Sequence, residues 1–456
     1  MDSITSLLAT IESDYVWGPV TIVLLVGTGL YLTIGLGFMP IRKLGTGFKL
    51  LWQGRKEDRS EGDISPFNAL MTAMSATVGT GNIVGVAGAI AIGGPGAVFW
   101  MWITALVGMA TKYSEAVLAV KYREVDERGK HQGGPMYYIK NGLGKNWTWL
   151  AFLFALFGAL AAFGIGNGVQ SNAVATNLLD DFGVPKWITG LILSTLIGLV
   201  VIGGIHRIGA VAGKIVPIMA IFYIAGALLI LLTNITAVPD AIWLILSDAF
   251  TGTAVTGGFV GATIMIAIQT GVARGLFSNE AGLGTAPIAH AAAKTNDPVK
   301  QGTIAMLGTF LDTIVICTMT ALVIIIMNGW TQIDPATNAL MSKAAITSYS
   351  FSQGLAGYGQ YIVTLGMIFF TFTTIVGWSF YGERCAEYLL GVKVIIFYRI
   401  LWVAVVFIGT TLQLDVVWII AGILNGLMAI PNLLGLLLLS PIIFKLTKDY
   451  YTTKSL

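Results

Sequence analysis

Long runs of apolar residues, separated by short polar segments, extend along the whole 456-residue chain. The runs are continuous rather than alternating, and many reach the roughly 20 residues that a helix needs to cross a bilayer. In lipid only helices or closed barrels satisfy the backbone, and continuous runs favour helices. We therefore predict an all-α integral membrane protein with eleven transmembrane helices, at about 16–39, 65–92, 95–122, 147–178, 185–204, 208–232, 258–290, 300–328, 360–389, 394–411 and 416–444.

The predicted helices divide into one extra N-terminal helix and two sets of five. A five-helix unit begins and ends on opposite sides, so its successor is inserted upside down, which suits alternating access. We predict two inverted five-helix repeats with broken first helices. The prediction rests on the odd number of helices in each unit, because the sequences of the two halves are only weakly similar. The predicted divisions are 1–64 (N-terminal helix and basic cytoplasmic loop), 65–232 (first repeat), 233–257 (extracellular connection), 258–444 (second repeat) and 445–456 (cytoplasmic tail).

The positions of Lys and Arg predict the orientation, because cytoplasmic loops carry an excess of both. Most of the 26 basic residues fall in inward segments if the N-terminus is outside and the C-terminus inside. The inward residues are Arg42, Lys43, Lys49, Arg55, Lys56, Arg59, Lys121, Arg123, Arg128, Lys130, Lys140, Lys145, Arg207, Lys214, Lys294, Lys300, Arg384, Lys393, Arg399, Lys445, Lys448 and Lys454. Lys186 and Lys343 face outward, and Lys112 and Arg274 lie within predicted helices.

Composition agrees with this pattern and excludes other classes. Only 11% of residues are charged, against about 25% in soluble proteins. The net charge of +3 is too small to indicate a nucleic-acid partner, and no obligate protein partner is evident. Cys317 and Cys385 lie in or beside apolar runs, so we interpret them as buried hydrophobic residues rather than metal ligands. We find no nucleophile, base or metal constellation and expect no enzyme activity and no organic cofactor.

The first helix of the first predicted repeat contains a candidate binding site, within 74–85. Gly79 and Gly81 fall near its midpoint, where each weakens a helix by about 1 kcal/mol relative to Ala. Side-chain oxygens cluster in the same stretch, on Ser75, Thr77, Thr80 and Asn82. If the helix unwinds there, free N–H groups can hold a carboxylate and free carbonyls an ammonium group or Na⁺. Alternatively, the small residues serve only close helix packing.

The predicted helix 258–290 opens the second repeat. At about 50 Å it is too long for one straight crossing, and its centre, 269–282, holds polar residues and glycines. We predict a second break here, with carbonyls around Thr270 and Gly271 facing an ammonium group. Phe277 would shield the substrate; its alternative role is core packing.

Ionisable residues inside predicted helices are functional candidates. They are Arg274, Glu280 and Asp312, and Asp312 is an ion ligand or a proton-coupling group in one interpretation. In the other, Arg274 forms a structural pair with Asp312 or Glu280. Lys112 and Glu115, three residues apart, are predicted to pair on one helix face without a role in transport.

The predicted helix 360–389 carries adjacent hydroxyls that suit Na⁺, since hard cations take oxygen ligands. They belong to Thr373 and Thr374, with Trp378 one turn onward. Alternatively these hydroxyls bond to the preceding turn. Gln170, on another helix, either donates to a substrate or links helices.

Two long motifs carry a family resemblance. The segment 93–102, continued by 108–111 and Glu115, closely resembles the signature of the alanine or glycine:cation symporter family, and 275–284 resembles a second hallmark. The resemblance implies the leucine-transporter fold with one extra N-terminal helix. It also implies uptake of alanine and glycine, coupled to Na⁺ or sometimes H⁺, in the plasma membrane of a prokaryote.

The residue patterns and the resemblance together give the candidate residues; the resemblance adds the carboxylate-binding backbone, the role of Asn82 and a Na⁺ site of Ser75, Val78, Thr373 and Thr374. Unwound backbone near Gly79 would bind the substrate carboxylate, in a pocket too tight for larger side chains. Substrate-binding candidates are Ala76, Thr77, Gly79, Thr80, Gly81, Gln170, Thr270, Gly271, Phe277 and Trp378. Na⁺-binding candidates are Ser75, Val78, Asn82, Thr373 and Thr374. Coupling candidates are Asp312, Glu280 and Arg274.

Alternatives to this Na⁺-coupled importer remain open. One is a proton-coupled carrier of the same fold for another small solute. A different class is an ion channel, which needs a continuous wet pore.

Overall fold

The structure is a computed structural model, and it describes residues 2–55, 60–252, 263–334, 339–341, 343–412 and 415–453. Some of the predictions fall outside these residues. They concern the cytoplasmic Lys56, Arg59 and Lys454, and the start of the predicted helix 258–290.

The chain begins with four helices of different character. Helix α1 (Asp2–Thr10) continues through a wide π-helical turn (Ile11–Val16) toward the apolar α2 (Pro19–Gly35). Helices α3 (Met39–Arg42) and α4 (Leu44–Gln53) follow. Much of the segment predicted as a basic loop is therefore helical.

The next eight helices cover the first predicted repeat. They are α5 (Pro66–Thr77), α6 (Val86–Gly93), α7 (Gly96–Lys121), α8 (Pro135–Leu143), α9 (Thr148–Ala161), α10 (Val169–Phe182), α11 (Lys186–Val201) and α12 (Gly204–Thr233). Two π-helical turns interrupt them, Gly81–Gly85 before α6 and Ala162–Gly168 between α9 and α10. The following segment, predicted as an extracellular connection, contains α13 (Val238–Thr251).

Eight helices follow α13. They are α14 (Ile264–Asn279), α15 (Ala286–Ala291), α16 (Pro298–Thr309), α17 (Thr318–Ile326), α18 (Lys343–Gly354), α19 (Gly359–Leu390), α20 (Val394–Thr411) and α21 (Asp415–Thr453). A fourth π-helical turn, Phe310–Cys317, joins α16 to α17. Helix α21 extends well beyond the predicted end at residue 444, so most of the predicted tail is helical.

Strands are short. β1 (Glu124–Val125) pairs antiparallel with β2 (His131–Gln132), with Glu124 opposite Gln132. β3 (Ile333–Asp334) pairs antiparallel with β4 (Ala339–Leu340).

Among the described residues, seven helical segments are long and apolar enough to cross a membrane. The pair Pro66–Thr77 and Gly81–Gly93, bent by 53°, counts as an eighth span if taken together. Helices α2 and α11 are apolar but shorter. The structure thus supports a multi-pass α-helical membrane protein.

Two apolar clusters form the core. One joins α2, α8, α9 and α21 with the C-terminal part of α19, and the other joins α5, α6, α12 and α17. Helix α7 packs against both α14 and α16, and α12 packs against both α5 and α19. Helix α5 is thereby held between α12 and α19, which positions its C-terminal end.

The hairpin between α7 and α8 fastens one end of the molecule. Arg123 donates to the carbonyls of Ala291 (3.1 Å) and Ala293 (2.8 Å), just beyond α15. The carboxylate of Asp126 accepts from the backbone N–H groups of Arg128 and Lys130, both at 2.8 Å. Burial raises the pKa of Asp126, but these hydrogen bonds and the Arg128 charge outweigh it and hold that pKa at about 2.

Buried charges tie this hairpin to α19 and α20. Arg128 Nη2 lies 3.1 Å from Glu387 Oε1. Glu383, only 1% exposed, accepts from Arg384 at 3.2 Å and from Arg399 at 2.6 Å. Glu383 thus joins two arginines on two helices.

We expect Glu383→Gln to destabilise the protein by about 3 kcal/mol, because the largely buried Arg399 loses its described charge partner and Arg384 loses one of its own. The thermal unfolding midpoint of the purified protein measures this. Glu124→Gln is the matched control, since Glu124 pairs with Lys140 at 2.9 Å with both side chains about 40% exposed, a geometry worth about 0–1 kcal/mol. Equal losses in the two variants would contradict the expectation.

Candidate functional site

The helix formed by α5 and α6 is interrupted near the predicted glycines. Pro66 begins α5, and Ser65 Oγ caps it by accepting from Asn68 N at 3.1 Å. The helix ends at Thr77, and Val78 is extended (φ −76°, ψ 96°). Backbone N–H groups where a helix restarts lack a partner in a preceding turn. The backbone N–H groups of Thr80 and Gly81 are thus available as hydrogen-bond donors, and the carbonyls at the end of α5 are available as acceptors.

Asn82 stabilises the interruption and links it to Asp312. Its Oδ1 accepts from Gly79 N at 2.8 Å, and its Nδ2 donates to Asp312 Oδ1 at 2.7 Å. The other carboxylate oxygen of Asp312 accepts from Ser278 and Thr313, both at 2.8 Å. All these side chains are buried. The Asn82 oxygen that we predicted as an ion ligand accepts a hydrogen bond from Gly79, whereas the oxygens of Asp312 accept theirs from Asn82, Ser278 and Thr313.

A second polar contact joins α5 to α19. Thr374 Oγ1 donates to Val78 O at 3.3 Å. Ser75 Oγ donates to Thr72 O at 2.7 Å and lies beside Gly377.

The hydroxyl of Thr373 points the other way. It bonds Phe369 O at 3.0 Å and Phe370 O at 3.1 Å, and it lies 3.4 Å from Met219 Sδ on α12. The structure therefore brings Thr374, and not Thr373, to Val78.

The second interrupted helix breaks at the C-terminal end of the predicted stretch 269–282. Helix α14 is continuous through Thr270 and Gly271, and Gly271 packs against α7, where an added Cβ would overlap Ala97 O. The expectation that backbone carbonyls around Thr270 and Gly271 are free for an ammonium group is therefore wrong. The helix ends at Asn279, and Glu280 is left-handed (φ 55°). The signal in the sequence is the glycine pair two and four residues after Glu280, both at positive φ.

Glu280 lies in this second break. Trp378 Nε1 donates to its Oε1 at 2.9 Å, and Thr285 Oγ1 donates to its Oε2 at 2.6 Å. Trp378 is 1% exposed and packs against Gly166. Predicted as a wall of the pocket, Trp378 instead fixes the Glu280 carboxylate.

Two residues beside Glu280, Glu115 and Lys112, were predicted to have no role in transport. Glu115 Oε1 accepts from Gly284 N at 3.1 Å and from Asn432 Nδ2 at 2.7 Å. The Lys112 ammonium is buried without a hydrogen-bond partner in the described chain, within electrostatic reach of Glu115, Glu280 and Asp312. Lys112 and Glu115 do not form the predicted direct ion pair in the described part of the chain. Their common burial, which follows from α7 packing against two helices, was not visible in the sequence.

Two adjoining cavities, of about 510 and 490 Å³, lie beside the first break. We call them together the vestibule. Both are lined by Glu12, Arg274 and Phe277. Thr270 lines the first and Thr80 the second. Phe277 also lies against the second half-helix, 3.5 Å from where a Cβ on Gly81 would be.

Among the described residues, Arg274 forms no ion pair with Asp312 or with Glu280, so neither of the predicted structural pairs is present. Arg274 faces the vestibule with Glu12 instead.

Gln170 reaches the first break from α10. Its Nε2 donates to Ile165 O at 3.2 Å, whereas its Oε1 is buried without a partner in the described part of the chain. That oxygen lies 3.6 Å from the Cβ position of Gly79. It is therefore an unused acceptor directed at the interruption.

The remaining candidates have structural contacts. Thr77 Oγ1 bonds back to Met74 O at 3.3 Å and Ala73 O at 3.4 Å. Ala76 is buried against Gly377 on α19.

Comparison with solved structures gives the class of protein. The fold resembles a manganese transporter of Eremococcus coleocola, with a TM-score of 0.51 and 13% identity over 83% of this chain and 76% of that one. At this identity the likeness concerns the fold alone. The chain is a multi-pass protein with the fold of a membrane transporter.

Sequence comparison then gives the family. The profile of the Sodium:alanine symporter family matches residues 1–455, and the chain belongs to this family. It is 52% identical to the sodium/alanine symporter AgcS of Methanococcus maripaludis, over 98% of this chain and 97% of that protein. It is also 52% identical to an uncharacterized transporter of Haemophilus influenzae, over 98% and 96%. A probable sodium/glutamine symporter, GlnT of Bacillus subtilis, is 39% identical over 100% and 92%.

The contact of α5 with α19 depends on Gly377. A Cβ there would lie 2.5 Å from Ser75 Oγ and 2.8 Å from Ala76 N. We expect Gly377→Ala to lower the free energy of unfolding by about 1–3 kcal/mol through overpacking, measured as a lower thermal midpoint. Gly85→Ala is the control, because its nearest atom would be 3.9 Å away. A Gly377→Ala protein as stable as the control would show that these helices approach less closely.

Proposed function

We propose that this protein imports a small amino acid, alanine or glycine, together with Na⁺ across the cytoplasmic membrane of a prokaryote. One observation carries the proposal. The interruption at residues 78–80 places free backbone donors and acceptors between the Val78–Thr374 contact on one side and the unpaired Gln170 oxygen on the other. Family membership and the AgcS relative support the same solute and ion.

The interruption suits a zwitterion. Backbone N–H groups of Thr80 and Gly81, at the start of a half-helix, bind the carboxylate. Gln170 Oε1 and carbonyls near Ala76 accept from the ammonium group. Space is restricted, since a Cβ on Gly79 would lie 2.6 Å from Thr374 Oγ1 and one on Gly81 3.2 Å from Ser278 Cα. Alanine and glycine fit such a site better than leucine does.

Na⁺ binds where α5 meets α19. Carbonyls of Ser75 and Val78 and the hydroxyl of Thr374 supply oxygen ligands, which hard cations prefer. Because the ligands come from two helices, the ion joins them and favours the conformation that completes the substrate site.

Asp312 is the second ion-linked group. Its buried carboxylate accepts three hydrogen bonds, from Asn82, Ser278 and Thr313, but has no basic partner within ion-pair distance among the described residues. A buried charge of this kind needs a cation or a proton. A second Na⁺ satisfies it in the symport proposal, and a proton satisfies it in the alternative, a proton-coupled carrier.

We retain the predicted topology within this proposal. Residues 65–232 and 258–444 form two inverted repeats of an eleven-span protein, with the N-terminus outside and the C-terminus inside. Rocking of one set of helices against the other around the two breaks gives alternating access. The basic residues around Arg123, Arg128 and Arg384 then lie at the cytoplasmic end, and the vestibule at the outer end.

Purified protein in liposomes tests the proposal. Labelled alanine should accumulate only with an inward Na⁺ gradient, saturate, and show counterflow. Accumulation driven by a pH gradient without Na⁺ would favour the proton-coupled carrier. Flux far above carrier rates without saturation would favour a channel, and no alanine flux at all would favour another solute.

We expect Thr374→Ala to raise the Na⁺ concentration for half-maximal uptake about tenfold, the effect of losing one contact to a charge. Thr373→Ala is the matched control, because its hydroxyl faces α12 and its removal should leave this concentration unchanged. Uptake at varied Na⁺ and saturating alanine measures both. The reverse ranking would reject the ion site.

We expect Asp312→Asn to weaken Na⁺ activation, because it removes the charge from a side chain of the same shape. Its oxygen can still accept from Asn82, and its NH2 group would donate to the Ser278 and Thr313 hydroxyls, which reverse their role. The measurement is uptake at varied Na⁺ and pH. If Na⁺ activation is unchanged and the pH dependence of uptake is lost, Asp312 is a proton-coupling group rather than a Na⁺ ligand.

A further inference from the structure

Two opposite charges in the vestibule are left without partners. Arg274 and Glu12 line both of its cavities. Within the described chain, neither charged group forms a hydrogen bond or an ion pair, although each feels the charge of the other. A guanidinium carries five donors and a carboxylate several acceptor sites. Such groups are normally paired when they leave bulk water.

Packing of the N-terminal segment places Glu12 opposite Arg274. Glu12 lies in the π-helical turn before α2. Trp17 Nε1 donates to Gly422 O on α21 at 3.1 Å. A Cβ on Gly422 would overlap the Glu12 carboxylate, so this glycine makes room for the charge. The extra N-terminal segment thus forms one wall of the vestibule.

Arg274 belongs to the helix that also forms the site. It lies one turn before Phe277, which lines both cavities and packs against Gly81. A solute held by Arg274 is therefore on the way to the first break. Phe277 lies between the two positions.

We propose that Arg274 and Glu12 form a capture subsite for zwitterionic α-amino acids in the vestibule, ahead of the site at the interruption. Arg274 binds the carboxylate, for which a guanidinium is geometrically suited. Glu12 binds the ammonium group. The inference rests on the proposed function, because it supplies the route by which the substrate reaches the break.

The subsite should be less selective than the deeper site. The two cavities are large, about 510 and 490 Å³, and their walls mix polar side chains, such as Gln269 and Asn177, with apolar ones, such as Ile165 and Met367. The subsite recognises the two charges common to all α-amino acids and leaves the side chain in open space. Leucine should therefore bind there and compete with alanine without being transported. The subsite uses no Na⁺ ligand, so its binding should not require Na⁺.

The test uses full-length protein and labelled alanine in two assays. The first is equilibrium binding in Na⁺-free choline buffer, and the second is Na⁺-driven uptake in liposomes. We expect Glu12→Gln and Arg274→Gln each to weaken Na⁺-free binding about tenfold. In uptake the same variants should raise KM while the maximal rate is largely kept. Arg274→Lys should fall between, since it keeps the charge but loses the planar fork.

Asp180→Asn is the matched control. Asp180 is an exposed carboxylate lining the same vestibule, so its loss changes the local charge by the same amount. Binding and KM should not change. If Arg274→Gln fails to fold, Glu12→Gln carries the test, because Glu12 lies on the terminal segment.

Four outcomes are informative. Unchanged Na⁺-free binding and KM in Glu12→Gln would overturn the subsite while leaving Na⁺-driven uptake intact. A lower thermal unfolding midpoint in Glu12→Gln and Arg274→Gln, with alanine binding unchanged per folded protein, would show a structural role only and would also overturn it. A third outcome is that the unaltered protein binds alanine without Na⁺, the variants lose this binding, and Na⁺ drives no uptake. This result would support the subsite and reject Na⁺ symport. Absence of any alanine binding in the unaltered protein would reject both.

Discussion

Backbone hydrogen bonding inside a bilayer constrains this molecule more than any other interaction. Each unsatisfied backbone group in hydrocarbon costs several kcal/mol, so a helix interrupted at residues 78–80 needs substitutes for its lost bonds. Asn82 supplies one by accepting from Gly79, and Thr374 supplies another by donating to Val78. Groups that neither side chain reaches are left for solute and ion. The proposed binding site thus consists of the backbone groups that remain unsatisfied where the helix is broken.

The second constraint is charge. Asp312, Glu280 and Glu115 are buried, and in the described part of the chain the buried ammonium group near them is that of Lys112. Hydrogen bonds from Trp378, Ser278 and Asn432 stabilise the carboxylates but do not neutralise them. An excess of negative charge at this depth is most stable when a cation or proton is present. Ion binding and the integrity of the centre are therefore linked by the same residues.

Much of this was predictable from sequence. The helix-interrupting glycines and the hydroxyls around them gave the first break, because local propensity acts there without help from distant packing. The second break falls within the predicted stretch 269–282, but the free carbonyls were wrongly assigned to Thr270 and Gly271. Gly271 is small because it packs against α7, a long-range cause that the local pattern does not contain.

The sequence also could not predict which of two adjacent residues faces the site. Thr373 and Thr374 have the same side chain, and only the packing of α19 against α5 and α12 decides which one meets Val78. The role of Glu12 depends on how the N-terminal segment folds over α21. No pattern within residues 1–16 carries that information.

The four π-helical turns have a common consequence. Glu12, Asn82 and Asp312 lie within three of them, and Gln170 follows the fourth by two residues. A π turn accommodates one residue more than an α turn. Deleting one residue there would therefore close the wide turn into a regular α turn while the helix on either side keeps its orientation. The loss would be confined to the widened backbone that presents Glu12, Asn82 or Asp312, so a one-residue deletion would remove a binding feature without refolding the helix.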